Sequence, residues 1–124
     1  MDTIMAPPAT HQETSPPPLD LQLRAEARSL VEAIDGRGIC SGSHDNRWFA
    51  QGMTRRKARI LCGPCPVPFE CLRLAVLEEA LAIHAFGGSV HDLHGARGGV
   101  TGRDRSQPVK ELVERLKADA SHRR

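Results

Sequence analysis

The sequence has no tyrosine, one tryptophan and three phenylalanines in 124 residues. So thin an aromatic complement gives little area for a self-sufficient core, and the length allows one modest domain. A bound metal or cluster that the unfolded chain cannot hold would supply the missing stability. No apolar run approaches the ~18 residues of a membrane span, so no membrane partner is expected. Met1 to Asp20 lacks both the basic start and the apolar centre of a secretory signal, so the expectation is a cytoplasmic protein. No Ser-His-Asp set or paired carboxylates can be argued from the chain. Gly87-Gly88 and Gly98-Gly99 fit neither a phosphate loop nor a dinucleotide fingerprint. The chain is therefore read as not an enzyme. The overall charge of +2 says nothing by itself about nucleic acid.

What the chain does have is four cysteines, Cys40, Cys62, Cys65 and Cys71. In a reducing compartment, thiols so closely spaced bind metal more often than they form structural disulfides. Four thiolates saturate either a tetrahedral zinc ion or the external iron positions of a 4Fe-4S cube. The spacing is neither the twin knuckle of a zinc ribbon nor the compact run of a bacterial ferredoxin, so both remain open. His44, His91 and His94 could alter the ligand set, but read more simply as polar loop residues. Cys62-Gly63-Pro64-Cys65 also has the spacing of redox-active pairs, which makes a thiol-disulfide reductase a further alternative, without the strand scaffold such enzymes use.

The remaining segments sort by composition. Residues 1–18, rich in proline, read as a disordered tail. Leu19 to Asp35 carries Leu23, Ala27, Leu30, Val31 and Ile34 at helical spacing, with Asp20 as a candidate cap. Trp48-Phe49 shields the cysteine site or meets a partner. Thr54 caps a short helix bearing Arg55, Arg56, Lys57 and Arg59, which form either a solvated face or a contact for phosphates or an acidic protein surface. A longer helix begins near Pro68 and runs to His84. A last one is expected from Ser106, with Pro108 in its first turn and Val109, Leu112, Val113 and Leu116 on one face. These segments predict an all-α, four-helix fold organised around the cysteine site, with three helices in a domain over 19–105 and the fourth in a basic amphipathic helix and tail over 106–124.

The run Cys62-Gly63-Pro64-Cys65-Pro66-Val67-Pro68-Phe69-Glu70-Cys71-Leu72, with Leu61 before it and Asp45 and Trp48-Phe49 after the lone Cys40, resembles the WhiB-like iron-sulfur regulators of actinobacteria and their phages. The resemblance implies a 4Fe-4S cluster, sensitive to oxygen and nitric oxide, on Cys40, Cys62, Cys65 and Cys71, with a disulfide in the cluster-free form. It implies a transcription regulator whose partners are the principal sigma factor and promoter DNA. A zinc-stabilised interaction module is the alternative. The family's Gly-Trp-Gly-Gly turn is altered. Ala85-Phe86-Gly87-Gly88 puts Phe86 at the tryptophan position, whereas Ala96-Arg97-Gly98-Gly99 puts Arg97 there, implies an insertion, and matches onward through Arg105. Trp48, Phe49, Phe86 and Arg97 are thus the candidate sigma-factor contacts. Arg103, Arg105, Lys110, Arg115, Lys117, Arg123 and Arg124 are the candidate phosphate contacts.

Overall fold

The computed structural model describes residues 16–37, 48 and 52–123. The expected disordered tail falls almost wholly outside these residues, as do Cys40, His44, Asp45, Phe49 and Arg124. Among the described residues are four helices: α1 (Leu19–Ile34), α2 (Arg55–Cys62), α3 (Pro68–Phe86) and α4 (Gly102–His122). Between α3 and α4 lie a 3-10 turn (Val90–Asp92) and a hairpin of β1 (Ala96–Arg97) and β2 (Val100–Thr101), paired antiparallel. The domain is mostly helical, and the hairpin amends the all-α expectation. Its two-residue strands are too short to show alternation in sequence.

Helices α1, α3 and α4 share the main core. Leu23 of α1 meets Val76, Leu77, Ala80 and Leu81 of α3 and Val109, Leu112, Val113 and Leu116 of α4. Helix α4 therefore buries the face that its sequence spacing predicts, and each fully buried leucine or valine contributes about 1.5–3 kcal/mol. A smaller core holds Trp48, Ala58, Cys62 and Ala96, with Met53 and Leu61 packed against it. It joins α2 to the hairpin.

The helix ends explain two departures. Asp20 does not cap α1, which starts after Pro18. Its first free N–H, on Leu19, donates to Asp119 Oδ2 of α4 at 2.9 Å, so the cap comes from another helix. Helix α4 begins not at Ser106 but at Gly102, where the Thr101 hydroxyl accepts from the Asp104 N–H at 3.1 Å. Pro108 consequently sits inside the helix rather than in its first turn. The division drawn at residue 106 falls within this continuous helix, whose apolar face belongs to the main core.

Candidate functional site

Helix α2 is a short, strongly charged helix whose cap is supplied by Thr54, its hydroxyl accepting from the Lys57 N–H at 3.1 Å. It buries Ala58 and Cys62 and ends there. The Cys65 N–H donates to the Cys62 carbonyl at 3.0 Å, closing the two-residue turn. Val67, 1% exposed, then pins the chain, and its carbonyl accepts from the Cys71 N–H at 3.0 Å. Pro68 opens α3, where its fixed φ suits a first turn and its missing N–H costs nothing. Cys62 is thus buried at the end of one helix, Cys65 half-buried in the turn, and Cys71 half-buried at the start of the next.

The hairpin lies across this junction. At Gly98 (φ +60°) a Cβ would stand 2.3 Å from the Pro68 carbonyl oxygen and 2.7 Å from Leu72 Cβ, so only glycine lets the turn sit so close to α3. Arg97, just before it, donates to Glu78 Oε1 at 3.1 Å and hydrogen-bonds the Cys71 side chain. Burial works against its charge, yet these two partners outweigh it and hold its pKa above the ordinary guanidinium value. The tight turn therefore forms at Gly98-Gly99, in the register that places Arg97 beside the last cysteine.

Thiols at a helix end, a turn and a helix start suit soft-metal or iron-sulfur ligation by the chemistry of the donor set. Among the described residues, no three His, Cys, Asp or Glu side chains gather as a metal site. Cys40 lies outside those residues.

Other candidate residues fall into place or out of it. Trp48 is 6% exposed, with its indole N–H directed at the Leu61 carbonyl at 3.4 Å. Its ring is taken up by the small core under Cys62, so it supports the site from within and is not a surface contact. Phe86, at the end of α3, is 90% exposed. It shares a groove with Glu78, the partner of Arg97.

Arg105 is a clear correction. Assigned to phosphate, it is fully buried. Its guanidinium makes paired bonds to Glu79 of α3, both at 2.8 Å. It also donates to the carbonyls of Gly95 at 3.1 Å, Val100 at 2.8 Å and His94 at 2.9 Å. All of this ties the hairpin and the preceding loop to α3. The sequence did hold a signal, because Arg105 continues the stripe of Val109, Leu112, Val113 and Leu116 by one turn.

Arg123 is also engaged, with Asp119 Oδ2 at 3.0 Å and with the carbonyls of Pro16 and Pro17. Lys110, Arg115 and Lys117 are exposed on α4. Arg103 is exposed too, and lines a cleft of about 650 Å3 opposite Arg55, Arg56 and Arg59 of α2. In that cleft Arg55 holds Asp104 through bonds of 2.7 and 2.9 Å, which keep the carboxyl below its ordinary pKa.

The family model described as Transcription factor WhiB matches residues 35–107. The match takes in all four cysteines, the hairpin and the start of α4. No curated protein and no solved structure matches the chain.

Proposed function

The chain belongs to the WhiB family of transcription factors, and from that premise we propose that it is a redox- or nitric-oxide-responsive regulator holding one 4Fe-4S cluster on Cys40, Cys62, Cys65 and Cys71. The family is one of regulators rather than enzymes. The observation that carries the cluster reading is the junction of α2 and α3. Within the family match it sets one cysteine at a helix end, one in the turn and one in the next first turn, under a hairpin that only Gly98 lets approach.

When bound, such a cluster supplies chemistry sensitive to oxygen and nitric oxide. The chain's own residues would shape the response. Trp48 and Ala96 wall Cys62 from one side. Arg97 brings a fixed positive charge beside Cys71. Through Gly98, the position of the hairpin depends on the backbone between Pro68 and Leu72. A change at the cysteines thereby reaches the exposed surface.

In this reading the principal sigma factor meets the surface around Arg97 and Phe86, with Phe49 as a further contact and Trp48 as buried support. Promoter DNA is met through phosphate contacts from Arg103, Lys110, Arg115, Lys117 and Arg124. Arg123 is already committed to Asp119 and to the proline carbonyls.

The test is purification without oxygen, followed by absorption spectroscopy and metal analysis. A brown protein with about four iron and four sulfide per chain is expected, bleaching in air or nitric oxide. Serine at any of the four cysteines should abolish the iron. A colourless protein with one zinc per chain, made with ample iron, would replace the cluster by a structural metal.

A further inference from the structure

The cleft between α2 and the start of α4 is a feature that the cysteine site leaves unexplained. Four arginines line it against a single carboxylate, Asp104. Asp104 is taken by Arg55 through two bonds, so that pair is locally neutral. Arg56, Arg59 and Arg103 are exposed and carry no ion pair among the described residues. The neighbouring helix starts do not account for the charge, since Thr54 and Thr101 already cap them.

We propose that Arg56, Arg59 and Arg103 form a phosphate-contacting cleft that holds the backbone of a DNA duplex. This rests on the reading of the chain as a regulator working at promoter DNA, but puts the principal contact on α2 rather than on the C-terminal helix. Arg56 and Arg59 are three residues apart on one helix, so their side chains project from neighbouring points about 5–6 Å apart. That arrangement suits an extended polyanion rather than one small anion. Arg103 faces them across the cleft, from the first turn of α4.

All three guanidiniums are exposed, as groups that grip a strand from outside must be, whereas a small-anion pocket would bury its donors. An acidic protein partner fits less well. Among the described residues no aromatic side chain lines the cleft, and protein interfaces depend on such anchors. Guanidinium-to-phosphate contacts position a protein on a duplex without reading its bases. The C-terminal helix makes the weaker track, since Glu111 and Glu114 are interspersed with its lysines and arginines on the exposed side.

The experiment measures binding of the full chain, purified without oxygen, to a fluorescein-labelled mixed-sequence duplex by anisotropy across a salt series. The Arg56→Gln, Arg59→Gln, Arg103→Gln triple variant is expected to bind about tenfold or more weakly at low salt. Its slope of log affinity against log salt should be shallower by about 2–3, because each lost phosphate contact removes about 0.9. Lysine at the same three positions should keep most of the slope, which separates charge from any fold defect.

An unchanged slope in the glutamine variant would overturn the cleft assignment. So would a wild-type chain that fails to bind the duplex at low salt, or one that prefers polyglutamate to it. Iron content and sigma-factor binding of the same preparations test the regulator reading separately, and either can hold while the cleft fails.

Discussion

Arg105 shows how far one side chain's role can depart from its charge. Fully buried, it uses its guanidinium on one carboxylate and three carbonyls. Arg105→Ala would strand Glu79 and leave three acceptors without their donor. The expected cost is about 3–5 kcal/mol, read from urea unfolding. Lysine should rescue little, since one ammonium cannot reproduce the planar fork. A loss under about 1 kcal/mol would show that the network is ornamental. Sequence reasoning missed this because a basic residue in a basic segment reads as surface, although its position in the apolar stripe pointed inward. Trp48 is a similar case. It is buried with Cys62, its indole N–H directed at the Leu61 carbonyl.

At the scale of elements, legibility followed length. Helices α1 and α3 carry enough apolar repeats to declare themselves, and Thr54 marks the start of α2 as a cap residue should. The start of α4 was misplaced because Ser106 and Pro108 make a plausible opening. The real one uses Thr101, and Pro108 is carried inside a helix already held by that cap and by Arg105. Proline there removes one helical bond, a cost that tertiary anchoring offsets.

The hairpin was visible only as a glycine pair, and its place on α3 could not be read from sequence. Gly98→Ala tests that placement. With φ at +60° and the new methyl within 2.3 Å of the Pro68 carbonyl, the hairpin must shift away from α3. Stability should fall by more than about 1 kcal/mol, and maleimide should label Cys71 faster in the metal-free chain. Unaltered labelling and stability would mean that the turn does not rest on α3.

For the whole molecule, half-buried carboxylates bind the elements to one another. Glu26 of α1 holds Arg73 of α3, with bonds of 2.7 and 3.0 Å. Asp104 of α4 holds Arg55 of α2, and Asp119 of α4 takes the first N–H of α1. All three carboxyls lie below their ordinary pKa values, because of the hydrogen bonds from Arg73, Arg55 and the Leu19 N–H respectively. The sign follows from proton uptake. As pH falls, the unfolded chain binds protons before these folded carboxyls do, so acid favours unfolding. Their contribution should be complete above about pH 5 and lost as pH drops through the depressed values. Thermal unfolding of the metal-free chain from about pH 7 to about pH 3 checks this, with the loss smaller at high salt. A flat midpoint down to about pH 3 would contradict it.

The lone tryptophan has one more consequence. With no tyrosine in the chain, Trp48 is its sole strong ultraviolet emitter, and it packs in the same small core as Cys62. The light this protein gives off therefore comes from one place, in the small core that holds Cys62. Its intensity and colour form an intrinsic gauge of that site, readable in unlabelled protein as metal is loaded, lost or attacked.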